Sequence, residues 1–167
     1  MNVKKLLLPV GGTDTDRFDG LVETVANLAE PGETTVGLLH VFDRKAYDEY
    51  RERLHARPDS EVTPATVAGR RESVRTLRSG LEERGFEVEV LGALGDRGDA
   101  IVREAEDWGA DLLVVGGRKR SPTGKAVFGS VAQEVMMNAP CPVTFVRDET
   151  TTDEDTETTR RAATPSR

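Results

Sequence analysis

The sequence predicts an α/β fold, a single doubly wound parallel sheet of five strands with helices on both faces. Short apolar runs of strand length alternate along the chain with segments whose apolar residues recur at helical spacing. The 167 residues suit one domain with a substantial core. No run approaches the ~20 apolar residues that a membrane span needs, so we expect no membrane association.

The first part of the chain predicts two strands with a helix between them. Residues 3–10 form an apolar run ended by a proline and a glycine pair, which is typical of a buried strand. Residues 18–29 place apolar side chains on one helical face, after N-cap candidates at 13–15, and a Pro-Gly pair ends this helix. Residues 34–42 form a second apolar strand, in which we expect His40 to be a satisfied strand residue.

The rest of the chain continues the alternation. The charged segment 44–55 predicts a helix whose tyrosines lie on a solvated face, followed by a loop at 57–64. One longer helix is expected over 67–81, stopped by a glycine. Residues 86–94 alternate apolar residues with glutamates, which predicts a strand with one wetter face. The remaining elements are a helix at 101–108, an apolar strand at 111–116, a helix at 127–135 and a final strand at 142–146.

Charge and cysteine usage narrow the classes of partner and compartment. The net charge is −7, and such a surface disfavours nucleic acid and anionic membranes. Residues 148–167 lack apolar periodicity and predict a disordered tail after a domain at 1–147. The one cysteine, Cys141, fits a reducing compartment and is expected to be a small, half-buried residue rather than a nucleophile. We read no signal peptide at the N-terminus and expect a cytoplasmic protein.

The segment from Gly116 to Ser130 is the most informative part of the sequence. Ligands of parallel sheets bind beyond the carboxyl ends of the strands, so residues that directly follow a strand are the functional candidates. Here they are 11–14, 41–43, 95–98 and 116–125. No acidic residue occurs from 112 to 133, yet four basic ones do: Arg118, Lys119, Arg120 and Lys125. This local charge reversal in an acidic chain indicates an anionic ligand.

The end of this segment is expected to begin a helix. Glycines let backbone N–H groups approach a ligand, and the first N–H groups of a helix have no partners within it. Gly129 and Ser130 occupy that position, and the hydroxyl of Ser130 adds a donor. The pattern favours phosphate or nucleotide binding. The simpler alternative is a solvated loop in which Ser130 serves only as the helix cap.

These residues resemble the universal stress protein family. The resemblance includes the Val-Val-Gly strand end, the basic loop, Gly-Ser-Val-Ala at 129–132 and Ala-Pro-Cys-Pro-Val at 139–143. It extends to Leu-His-Val at 39–41 and Gly-Asp at 95–96, and covers residues 1 to about 147. A UspA-like chain implies an adenine nucleotide alpha hydrolase-like fold with strand order 3-2-1-4-5.

The resemblance also implies a nucleotide site. ATP-binding members carry a Gly-x-x-Gly-x9-Gly-Ser/Thr loop, which Gly116, Gly129 and Ser130 match, while Lys119 replaces the middle glycine. Gly11 stands where the family usually has an aspartate. The implied cofactor is ATP or another adenine nucleotide, with Mg²⁺ as an optional companion. The implied lining is Pro9, Val10 and Val41 for adenosine, and Gly116, Gly117, Arg118, Gly129, Ser130 and Val131 for the phosphates, with further contacts from Lys119 and Lys125.

Three functions are compatible with these residues. The leading hypothesis is a nucleotide-binding stress-response regulator and not a fast enzyme, since the nearest carboxylates, Asp14 and Asp43, are equally suited to cap helices. The second is a dimerising interaction module that binds no nucleotide. The third is an ATP pyrophosphatase-like enzyme, which the run Val-Gly-Gly-Thr-Asp-Thr at 10–15 partly mimics.

The last strand predicts the oligomeric state. A short strand at 142–146 should lie at a sheet edge, where an exposed apolar edge invites pairing. The family commonly forms dimers through this strand, so the resemblance implies a homodimer here. The two histidines have no Cys or His partner at metal-ligand spacing, so no zinc site is expected.

Overall fold

The computed structural model describes residues 2–11, 17–53, 62–116 and 129–146. These form one five-stranded parallel sheet in the order β3-β2-β1-β4-β5, which confirms the predicted fold class and strand order. The strands are β1 (Lys5–Pro9), β2 (Thr35–Phe42), β3 (Glu87–Leu94), β4 (Leu112–Gly116) and β5 (Val143–Val146). The helices are α1 (Phe18–Leu28), α2 (Arg44–Arg53), α3 (Pro64–Gly69), α4 (Glu72–Glu83), α5 (Arg97–Trp108) and α6 (Ser130–Asn138).

The sheet is buried on both faces, and alternate residues of its central strand enter two different cores. Leu6 and Leu8 pack with α1 and α4 on one face, whereas Leu7 packs with α5 and α6 on the other. All three leucines are fully buried. Each such side chain stabilises the fold by roughly 1.5–3 kcal/mol relative to exposure. Two-sided burial explains why β1 appears in the sequence as a continuous apolar run.

The helix predicted over 67–81 is wrong as a single element. The chain forms α3, breaks at Arg70 and Arg71, and then forms α4. Thr63 caps α3 by accepting a bond from the N–H of Thr66 at 3.2 Å. The break allows the two helices to bury different faces. Val67 of α3 packs with Phe42 in a small core of its own, whereas the apolar residues of α4 join the main core beneath α1.

Close backbone packing holds α3 on the sheet. A Cβ at Gly92 of β3 would collide with the backbone of Pro64 and Ala65, so only glycine permits this approach. The start of α3 therefore lies directly on β3. The chain must turn before α4 can follow the sheet, which is the physical reason for the two-helix arrangement.

Helix α2 confirms the predicted helix, but its tyrosine face is not solvated as expected. Tyr47 is 5% exposed and packs against Phe42, and its hydroxyl donates to the carbonyl of Val62 at 3.1 Å. Because charged residues surround Tyr47 in the sequence, the pattern did not indicate that this side chain is buried. Helix α2 thus closes the small core that α3 begins.

Other predicted boundaries fall partly outside the described residues. The N-cap candidates at 13–15, the helical start at Val127 and the tail at 148–167 are not among them. Arg17 occupies the N-cap position of α1 and makes no side-chain capping bond there. Strand β5 lies at the sheet edge, as predicted. In the described ranges, every helix is too short or too polar to cross a membrane.

Candidate functional site

A cavity of about 200 Å³ opens at the carboxyl ends of the central strands. Pro9 and Val10 line it from the end of β1, Val41 from β2 and Gly116 from the end of β4. Strand β1 pairs with β2 on one side and β4 on the other, so the strand order reverses here. This reversal is where open parallel sheets place their ligands.

Helix α6 points its first turn at this cavity. Gly129, Ser130 and Val131 all line it. The first intrahelical bond runs from the N–H of Gln133 to the carbonyl of Gly129 at 3.1 Å. The N–H groups of residues 130–132 therefore precede the helical bonding pattern and carry the positive end of the helix dipole. This geometry suits an anion.

The structure differs from the simpler interpretation of the sequence, in which Ser130 serves only as the helix cap. Gly129, not Ser130, is the N-cap residue, and it has no side chain with which to cap the helix. Ser130 is the first helical residue, is exposed and lines the cavity. A Cβ at Gly129 would meet no described atom within 4 Å, so packing of the described fold does not require glycine here. Among the residues that the structure describes, space lies open beside the helix terminus.

The cavity walls between these polar ends are apolar. Leu39 and Val115 contribute from the sheet, Ile101 from α5 and Phe145 from β5. Such a lining is typical of small-molecule sites, in which a few polar groups orient a largely apolar contact surface. A planar base and a sugar match this surface better than a bare inorganic anion does.

His40 holds the wall that follows β1. Its Nδ1 lies 2.9 Å from the carbonyl oxygen of Val10, and because a carbonyl only accepts, Nδ1 carries the proton. Burial lowers the pKa of His40 to about 4, the bond to Val10 opposes the shift, and the charges of Arg71 and Arg97 add to it. The ring is therefore neutral near pH 7, which confirms a satisfied strand histidine.

Arg97 lines the cavity but was not singled out in the sequence. Asp96 caps α5 by accepting from the N–H of Asp99 at 3.2 Å, which makes Arg97 the first helical residue. The signal existed, since residues 95–98 follow the third predicted strand. The denser cluster of basic residues at 118–125 drew the prediction to the other side of the site.

The structure brings most of the predicted site residues around one cavity. Its lining includes Pro9, Val10, Val41, Gly116, Gly129, Ser130 and Val131. Gly117, Arg118, Lys119 and Lys125 lie outside the described residues. That the lining residues bind a nucleotide stays a prediction.

Other reactive groups offer less chemistry. Cys141 is half-buried, and burial followed by the charge of Asp111 raises the pKa of its thiol, so the reactive thiolate is disfavoured. Asp43 accepts from the N–H of Ala46 at 2.7 Å, so it caps α2. Within the described ranges, no three His, Cys, Asp or Glu side chains gather in a way that could hold a metal ion.

This fold and cavity define an α/β protein with a candidate ligand site at the strand-order reversal. A sequence model of the universal stress protein family matches residues 2–147, and the chain belongs to that family. It is similar to a universal stress protein of Methanothermobacter thermautotrophicus, with 29% identity over 147 residues that cover 86% of this chain and 95% of that protein.

Solved structures agree with the fold. Protein MJ0577 of Methanocaldococcus jannaschii superposes with a TM-score of 0.64 at 25% identity, covering 87% of this chain and 96% of that one. A universal stress protein from Archaeoglobus fulgidus in complex with dAMP superposes with a TM-score of 0.58 at 21% identity, covering 87% and 98%. Because the second structure is only 21% identical in sequence, its similarity to this chain shows the fold alone.

Proposed function

We propose that this universal stress protein binds an adenine nucleotide in the cavity and acts as a cytoplasmic stress-response regulator. One observation carries the proposal: the first turn of α6, beginning at Gly129, lines the cavity at the strand-order reversal. The N–H groups of this first turn, which have no partner within the helix, would hold a phosphate. The Archaeoglobus fulgidus protein of the same fold binds dAMP, which supports an adenine nucleotide as the ligand class.

The residues present fit such a ligand. Phosphate oxygens would accept from the N–H groups of residues 130–132 and from the Ser130 hydroxyl, while the base and sugar would contact Val41, Leu39 and Ile101. No described lining residue is a carboxylate. Mg²⁺ would therefore be held chiefly by the phosphates themselves, and we include it only as a companion of a di- or triphosphate.

The same lining favours binding and sensing over hydrolysis. A general base must lie within hydrogen-bond reach of the water it activates. Among the described lining residues there is neither a carboxylate nor a histidine, and His40 already donates to Val10 behind the wall. A regulator that retains its nucleotide matches this composition.

Mass spectrometry of small molecules released from the purified chain is the direct test. We expect an adenine nucleotide, and a thermal-shift titration with AMP, ADP and ATP should then raise the melting temperature. Ligand at 100 times its dissociation constant stabilises the fold by about 2.7 kcal/mol. If no nucleotide is released and none of the three nucleotides shifts the melting temperature, the proposal is refuted. The interaction-module alternative would then remain.

We also propose a homodimer paired through β5. All four residues of this edge strand are half-buried within one chain. Met136 and Met137, in the last turn of the helix that leads into β5, are exposed, with 84% of Met137 accessible. Exposed apolar side chains beside an open strand edge are typical of an interaction surface.

A further inference from the structure

Arg97 gives the cavity a positive charge on its α5 side. It is the one charged residue among the described lining residues. Within the described part of the chain it forms no salt bridge. A guanidinium can bind a phosphate with two parallel hydrogen bonds. An arginine that lines the proposed anion site, with no ion-pair partner among the described residues, is therefore available to the ligand.

The two positive ends of the cavity are neighbours. Gly98, next to Arg97, lies so close to the side chain of Glu134 that a Cβ on Gly98 would collide with it. Glu134 is one helical turn beyond Ser130, so the first turn of α5 lies beside the second turn of α6. Axes of packed helices are about 8–10 Å apart. Arg97 and Ser130 line the same cavity, so a ligand whose phosphate is held at α6 shares that space with the guanidinium on the α5 side.

We infer that Arg97 is a specificity-determining residue that binds a second phosphoryl group of the nucleotide, so that the cavity prefers nucleotides with two or more phosphates. The inference rests on the proposed function. The first phosphate occupies the N–H groups of α6, and a monophosphate leaves Arg97 without a partner. A second phosphoryl group reaches the guanidinium, and no described carboxylate of the lining competes for it.

Two positions of the second phosphoryl group share this chemistry. It is either attached to the first, as in ADP and ATP, or carried by the ribose, as in adenosine 3′,5′-bisphosphate. Calorimetric titration of the full chain with AMP, ADP, ATP and the bisphosphate separates these sources. We expect at least one of the three ligands with two or more phosphoryl groups to bind at least about tenfold tighter than AMP.

Two variants assign the preference to Arg97. Arg97→Gln should lower the affinity for the preferred ligand by about tenfold and the affinity for AMP by less than about threefold. Arg84→Gln removes the same charge from an exposed residue at the carboxyl end of α4, just before the amino end of β3 and away from the strand ends that open into the cavity, and should change neither affinity. Higher salt should shrink the wild-type preference, because Arg97 is exposed and its charge is screened.

The outcomes are distinguishable from those of the proposed function. Equal loss of AMP and ADP affinity in Arg97→Gln would overturn the inference, because Arg97 would then contact the part that both ligands share. Wild-type binding of AMP with no gain from a second phosphoryl group would overturn the inference alone. Absence of binding to every nucleotide would overturn both.

Discussion

The Nδ1–H of His40 donates to the carbonyl of Val10 at 2.9 Å, which ties a buried ring of β2 to the wall of the cavity. The N–H of Val10 in turn donates to the carbonyl of Leu39 at 2.8 Å. Both backbone polar groups of Val10, its N–H and its carbonyl, are therefore hydrogen-bonded to residues of β2. The position of the wall therefore depends on a buried histidine, which burial keeps neutral near pH 7.

Stability should fall as this histidine becomes protonated. The pKa of His40 is lowered from 6.5 to about 4, so between these values the unfolded chain binds the proton and the folded chain does not. Above pH 6.5 the ionisation of His40 does not lower the free energy of unfolding. As the pH falls from 6.5 to about 4 the free energy of unfolding decreases, and below pH 4 this decrease is complete. It amounts to at most about 3 kcal/mol, reduced where water screens the ring.

Urea unfolding of the wild type and of His40→Gln between pH 7.5 and pH 4.5 measures this contribution. The variant should be less stable at pH 7.5 because it loses the ring's packing against Phe42, but its stability should decline less steeply with acidification. Equal slopes of unfolding free energy against pH in both proteins would contradict the assignment to His40.

Gly92→Ala should be strongly destabilising. The new methyl group would collide with the backbone of Pro64 and Ala65, which has no freedom to rotate away. Overpacking of this kind costs about 1–3 kcal/mol, or more where backbone must move. Equilibrium urea unfolding gives the difference from wild type.

Gly20→Ala is the matched control for that substitution. Gly20 lies in α1, and a Cβ there would meet nothing within 4 Å. Alanine should stabilise the helix by about 0.5–1 kcal/mol, because glycine loses more conformational freedom on folding. Destabilisation of similar size by both substitutions would show that the Pro64 contact is not what matters at Gly92.

Local patterns were sufficient for the fold class but not for every element. Apolar runs and helical spacing predicted the five strands, because the central strands are buried on both faces and β3 alternates exposed glutamates with apolar residues. The break between α3 and α4 was not predicted, since its cause is a contact between Pro64 and Gly92, distant in sequence. Tyr47 was misassigned for the same reason, because its partner Val62 lies 15 residues further along the chain.

The candidate site was predicted in part. Glycines after strands and before a helix indicated Gly116 and Gly129, since backbone N–H groups act there without any specific side chain. Arg97 was missed because its place in the cavity lining depends on how close α5 lies to α6. That distance follows from Gly98 packing against Glu134, which no local pattern reveals.

Gly129→Glu should abolish nucleotide binding. The carboxylate would lie at the positive end of α6 and repel a phosphate from the N–H groups that would hold it. Gly129→Gln adds the same side-chain length without the charge. The backbone of Gly129, with φ −63° and ψ 164°, accommodates either residue, so the fold should persist in both.

Calorimetric titration with the nucleotide found in the purified wild type compares the pair. We expect the glutamate variant to lose at least about tenfold more affinity than the glutamine variant. Equal losses would indicate steric exclusion instead of repulsion. Unchanged affinity in the glutamate variant would place the ligand away from α6.

Val143→Lys should dissociate the proposed dimer. The N–H of Leu113 donates to the carbonyl of Pro142, so the ladder to β4 uses Pro142, and the backbone groups of Val143 point to the open edge of β5. Lysine at an edge strand opposes pairing with a second copy because two like charges would meet.

Sedimentation velocity at micromolar concentration should show a dimer for the wild type and a monomer for the variant. Met137→Lys places the same charge on α6 without touching the strand, and a smaller effect there would assign the contact to β5. A wild type that sediments only as a monomer would refute the pairing itself.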